Sequence, residues 1–91
     1  MQIAFDSEKA QANLDKHGVS FEDAALVFLD AGRLDETDQR KDYGEERRVV
    51  IGDIDGRVFV VVYTRRGELI RIISARKANE REQRKYRAIG A

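Results

Sequence analysis

The stretch from Arg47 to Ala75, RRVVIGDIDGRVFVVVYTRRGELIRIISA, decides the fold. It holds three runs rich in Val and Ile: Arg47 to Ile54, Arg57 to Thr64 and Glu68 to Ala75. Each has strand length and strand composition. Asp55-Gly56 separates the first two runs, a strong two-residue hairpin signal because both loop positions need positive φ. Arg66-Gly67 separates the second and third and reads the same way. The stretch is a three-stranded antiparallel meander. Two-residue loops fix the register. Ile54 faces Arg57, Val49 faces Val62 and Arg47 faces Thr64. Across the second turn Arg65 faces Glu68, so Val62 faces Arg71. Arg47, Thr64, Val62 and Arg71 then share one sheet face. Two arginines set diagonally there repel unless an anion lies between them. That anion is a carboxylate of Asp42, Glu45 or Glu46, or a phosphate.

Ahead of the meander, Ile3-Ala4-Phe5 reads as a short strand. Asp6 or Ser7 caps a helix that runs to about Lys16 or His17 and stops at Gly18. Ala10, Asn13, Leu14 and His17 form one stripe on it. Ser20-Phe21-Glu22-Asp23 resembles a capping box, and a second helix follows through Leu29 with a wide apolar stripe. Residues 30–46 are polar and acidic, with an edge strand at Arg33 to Thr37 and a long loop after it. Residues 77–87 form a charged C-terminal helix anchored by Ala78 and Tyr86. The expected architecture is α+β, one domain over residues 1–91: two N-terminal helices and a C-terminal helix around a small antiparallel sheet.

The chain has 91 residues, no cysteine and one histidine, His17. One small core is all that this length buries, so a surface site is easier to build than a deep pocket. Disulfides and thiolate metal sites are excluded, and so is a histidine metal cluster within one chain. No metal or other cofactor is expected. No apolar run approaches the length of a membrane span, and no signal peptide precedes the domain, so the expected compartment is the cytoplasm.

Net charge is zero but unevenly placed. Residues 1–46 carry 5 basic and 12 acidic side chains, 5 − 12 = −7; residues 47–91 carry 12 and 5, 12 − 5 = +7. Ten of the latter 12 cations are arginine, whose forked donors suit bidentate phosphate contacts. A basic half of this kind fits a polyanion site. It also fits two halves that neutralise each other in the fold.

Arg76 and Lys77 fall where the last strand enters the final helix, and an anion held by the helix N-terminus would relieve their repulsion. His17, at a helix C-terminus, is either a capping group or a general acid or base. Tyr63 and Tyr86 could stack a base, although a central strand and a helix anchor are also the places for packed tyrosines. An endoribonuclease, a nucleic-acid-binding module and a partner for an acidic protein all remain open on the residues alone.

Several segments resemble the BrnT toxin family. Asn13-Leu14-Asp15-Lys16-His17-Gly18-Val19-Ser20-Phe21-Glu22 is similar to its N-x-x-K-H-G-V-x-F-E segment. Glu45-Glu46-Arg47 resembles its E-x-R before the meander. Gly56-Arg57 with Val60-Val61-Val62-Tyr63-Thr64 resembles its central strand. Arg71-Ile72-Ile73-Ser74-Ala75-Arg76-Lys77-Ala78, followed by Glu82 and Tyr86, resembles its C-terminal signature. Phe5 stands where many members carry Trp. The resemblance implies a RelE-like fold, ribonuclease activity, and a cognate BrnA antitoxin with a ribbon-helix-helix DNA-binding domain, through which operator DNA is reached. On that reading RNA is the substrate. Arg47, Arg71 and Arg76 neutralise charge on the phosphoryl oxygens, Glu46 is the general base and His17 a second proton carrier. Lys77, Arg65 and Tyr86 contact the substrate.

Overall fold

The computed structural model describes residues 2–38 and 46–90. Asp42 and Glu45, two of the carboxylates expected beside the arginines, lie outside the described residues. In chain order come β1 (Gln2–Ala4), α1 (Ser7–His17), α2 (Phe21–Ala24) running into a 3₁₀ helix (Ala25–Leu29), β2 (Leu34–Thr37), β3 (Arg48–Ile54), β4 (Arg57–Arg66), β5 (Leu69–Lys77) and α3 (Glu80–Gly90).

The strands form one sheet in the order β1-β5-β4-β3-β2. The sheet is mixed rather than antiparallel throughout, because β1 runs parallel to β5. Parallel neighbours need a crossover. The chain leaves β1 into the helical layer on one face of the sheet and only later returns as the meander. The remaining pairs are antiparallel, as expected for β3, β4 and β5.

α1 begins where a side chain satisfies its first amides: Asp6 accepts from the N–H groups of Glu8 and Lys9 at 2.8 and 3.1 Å. It ends at Gly18, whose φ of +69° is the left-handed C-terminal stop. Ser20 caps α2 through the Asp23 amide. The second helix is shorter than expected and tightens into 3₁₀ winding. That threefold spacing turns Ala24 and Val27 together onto the sheet, where both are fully buried.

One face of the sheet, carrying Val50, Val61, Tyr63, Ile70, Ile72 and Ala75, meets this helical layer in the main core with Phe21, Val27 and Phe28. The other face carries a smaller cluster, Ile51, Val58 and Val60 with Ala78 and Tyr86, under α3. Each face is built from alternate residues of the same strands.

The first hairpin has the expected register, Ile54 opposite Arg57 and Val49 opposite Val62. Asp55 and Gly56 sit at φ +51° and +88°, as a two-residue turn of this type requires. The second hairpin differs. Arg66 pairs with Leu69, so the loop is Gly67-Glu68, with the positive φ of +58° at Gly67. Glycine belongs at that first loop position, and the slip follows from it. The slip puts Arg71 opposite Thr64, and a bulge at Ile73 then shifts the ladder again, so Val62 faces Ser74.

β5 runs on to Lys77, and α3 starts at Glu80 instead of Lys77. Arg76 and Lys77 are therefore not a pair at a helix N-terminus. They alternate across β5, Arg76 with Val60 and Lys77 with Phe59.

Candidate functional site

A trough of about 790 Å³ lies on the face of the sheet beneath α3. Its floor is Val49, Val62 and Ser74, neighbours across β3, β4 and β5. α3 forms one wall with Arg81, Glu82 and Lys85, and the end of α1 contributes Lys16 and His17. Arg76 closes the β5 side, and Glu36 and Asp38 close the β2 side. Lys16, Arg76, Arg81 and Lys85 meet the carboxylates Glu36, Asp38 and Glu82, so the trough is far less basic than the second half of the chain.

The acidic half accounts for that difference. Glu36 takes the Lys85 ammonium at 2.6 Å. Asp35 and Glu46 take the Arg48 guanidinium at 2.9 and 3.4 Å. Part of the charge asymmetry in the sequence is thus internal pairing, worth little per exposed pair.

Arg76 is held most firmly. Its Nη1 donates to Glu82 Oε1 at 2.7 Å and its Nη2 to Glu82 Oε2 at 2.8 Å. Glu82 Oε1 also accepts from the Asn79 amide at 2.8 Å, and Asn79 Oδ1 accepts from the Glu82 amide at 2.8 Å. Asn79 and Glu82 are a reciprocal capping box. The pattern Asn79-Glu80-Arg81-Glu82 carries this signal in the sequence, where an N-cap residue is followed three positions later by Glu.

His17 reaches the trough because of Asn13, one turn earlier. The Asn13 amide donates to Val19 O at 3.0 Å and to Ala75 O at 2.8 Å, and its Oδ1 accepts from Ala75 N at 3.1 Å. This ties the end of α1 to β5 one residue from Arg76.

The other expected site residues are spread more widely. Arg71 pairs with Thr64 in the row just beyond the trough floor, and Arg47 immediately precedes β3, whose register, extended by one residue, leads to the same row. The Arg76 row is four residues away along β4, about 13 Å. Glu46 binds Arg48, the neighbour of Tyr63 on the opposite face, and does not line the trough. Lys77 lines a different, smaller hollow of about 360 Å³ beside Gly18, Ile54 and Phe59. Arg65 is exposed near the β4–β5 turn. Tyr86 is a packing anchor of the smaller cluster. Its hydroxyl donates to Asp30 Oδ2 at 2.5 Å.

Asp30 also accepts from Asp53 N at 2.8 Å and Gly32 N at 2.9 Å, closing the β3 edge where β2 has ended. Burial alone would raise its carboxyl, but the bonds from Tyr86, Asp53 and Gly32 outweigh it and hold the group below its ordinary range. Asp30, with burial second, pushes the Tyr86 phenol up to about 12.

On the helical face, Tyr63 packs its ring edge-on to Phe28 and donates its hydroxyl to Asp35. Burial first, then Asp35, raise the Tyr63 phenol. Tyr63 is therefore core and not a base-stacking surface. Among the described residues no three His, Cys, Asp or Glu side chains converge as a metal site would. No helix among them is long and apolar enough to cross a membrane.

Fold and trough together define a small α+β protein with an open, charged groove on its sheet rather than a closed pocket for a small molecule. Such a site suits a macromolecular ligand. The family model for the ribonuclease toxin BrnT of type II toxin-antitoxin systems matches residues 5–82, and the chain belongs to that family. No curated protein matches the sequence.

Proposed function

We propose that this protein is a metal-independent endoribonuclease that cuts RNA in the trough and so inhibits translation. One observation carries the reading: Arg76 and His17, far apart in sequence, line the same trough. The RNA 2′-oxygen attacks the adjacent phosphorus in line, forming O2′–P and breaking P–O5′. A base takes the 2′ proton and an acid protonates the departing 5′-oxygen. The products end in a 2′,3′-cyclic phosphate and a 5′-hydroxyl. Arg76 stabilises the charge that grows on the phosphoryl oxygens. His17 carries a proton, and Arg71 and Arg47 hold a flanking phosphate. Metal independence is supported by the ligand inventory, with no cysteine and one histidine.

The expected partner is a BrnA-like antitoxin with a ribbon-helix-helix domain, which alone contacts operator DNA. Its inhibitory segment covers the trough and the start of α3. The compartment is the cytoplasm. The test is cleavage of a defined RNA by purified protein in excess chelator. Cyclic-phosphate ends from the wild type, and their formation slowed on the order of a hundredfold in Arg76→Ala, are expected. Binding without cutting would make the chain a binding module. Cutting that returns only with an added cation would place a metal in the reaction.

A further inference from the structure

We infer that Glu82 is the positioning residue for Arg76, which it aims into the trough; this rests on the ribonuclease reading above. A guanidinium on a flexible stem loses entropy whenever it is held in one pose. A donor that is already oriented spends none of it at the moment of reaction. Glu82 meets both terminal nitrogens of Arg76, at 2.7 and 2.8 Å, which fixes the guanidinium plane as well as its place. The carboxylate is itself immobilised. Its backbone amide and its Oε1 are both engaged by Asn79 in the capping box. Glu82 is only 22 % exposed and Arg76 37 %.

The arrangement couples two elements. Arg76 belongs to β5 and Glu82 to the first turn of α3, with Ala78 and Asn79 as the link. Ala78 is fastened to the sheet through its amide to Val58 O at 2.9 Å. The pose of Arg76 is thus set by the junction of strand and helix rather than by β5 alone. A capping role by itself needs only an acceptor at Glu82. The second oxygen and the negative charge serve Arg76.

Glu82→Gln separates the two roles. Glutamine still closes a capping box, but it offers Arg76 one acceptor oxygen and no charge. The assay is steady-state cleavage of a short RNA, with thermal unfolding of each variant beside it. Glu82→Gln should keep the wild-type KM or bind slightly tighter, while kcat falls on the order of tenfold to a hundredfold, the scale of a misplaced catalytic group. In an Arg76→Lys background, where no fork remains to be held, the same substitution should change kcat less than twofold. Residues that act through one another are non-additive. A Glu82→Gln enzyme with wild-type kcat would overturn the inference while leaving the ribonuclease reading intact. An equal further loss in the Arg76→Lys background would also overturn it, assigning Glu82 to the helix start alone. If Arg76→Lys matches the wild type in kcat and KM, the reading of the site itself falls, and the inference with it.

Discussion

Arg71 and Arg76 stand on the same face of β5 although their numbers differ by five, because the bulge at Ile73 takes up one residue. Regular alternation would put them on opposite faces. The shared face does not make them equivalent. Arg76 lines the trough, whereas Arg71 sits in the row beside Thr64.

Arg76→Ala should therefore lower kcat on the order of a hundredfold, as expected for loss of a charge stabiliser. Arg71→Ala should act on binding, raising KM about fivefold with kcat nearly unchanged, the scale of one exposed charge contact. Steady-state cleavage of a short RNA reads both. Equal kcat losses would show that the two arginines hold the same phosphate.

Asn13→Ala should destabilise the fold by about 2–3 kcal/mol. The buried amide and carbonyl of Ala75 and the carbonyl of Val19 would lose their partner, and unmet buried polar groups are costly. Urea unfolding with an unchanged m-value is the measurement. A loss under about 0.5 kcal/mol, no more than a typical surface change, would mean that water replaces the side chain.

The Asp30–Tyr86 pair gives opposite signs at the two ends of the pH scale. Asp30 has a lowered native pKa. Its stabilisation is complete above the unfolded value near pH 4 and is lost as the pH falls through the lower native value. Tyr86 is raised to about 12. Its contribution is present below about pH 10, its unfolded value, and is lost as the pH rises towards 12. The stability gap between the wild type and Asp30→Asn should shrink below about pH 4. Tyr86→Phe should cost about 1 kcal/mol at neutral pH and abolish one late step in the phenol absorbance titration.

Gly52→Ala should destabilise by about 1 kcal/mol or more through overpacking. A Cβ there would stand 3.1 Å from Val27 Cβ and 3.2 Å from the Val27 carbonyl oxygen. Both are closer than an ordinary contact, and the carbonyl belongs to the 3₁₀ backbone. The entropy gained by replacing glycine offsets only part of this. Thermal unfolding decides it; a rise in Tm would show that the 3₁₀ helix moves aside easily.

The order and type of the main elements were legible because their signals are local. Val and Ile runs broken by Asp55-Gly56 give β3 and β4 with their register. Asp6 and Gly18 bound α1. The second hairpin turns one residue later than its Arg66-Gly67 signal indicates, since Gly67 rather than Arg66 opens the loop. His17 and Arg76 were legible as candidates, one as the only histidine and the other as a cation at a strand end. Glu82 was visible only as part of a family resemblance, although its capping pattern with Asn79 can be read directly. The scatter of Arg65, Lys77 and Glu46 away from the trough could not be read, because strand ends and bulges decide which way a residue faces.

The sequence by itself determined a small α+β domain, the β3–β4–β5 meander, the caps of α1 and the membership of a ribonuclease toxin family. Each of these rests on neighbours in the chain or on a linear pattern of residue types. Only the tertiary structure decided that β1 joins β5 in parallel, that Asn13 and Asp30 close open sheet edges, and that Arg76 is gripped by Glu82 in the trough that His17 also lines. It also decided that part of the charge asymmetry is paired within the protein, as in Glu36–Lys85 and Asp35–Arg48. Those contacts join residues that no local rule relates. They form because burying both faces of one sheet brings the two halves of the chain together, and buried or half-buried polar groups must then find partners across that distance.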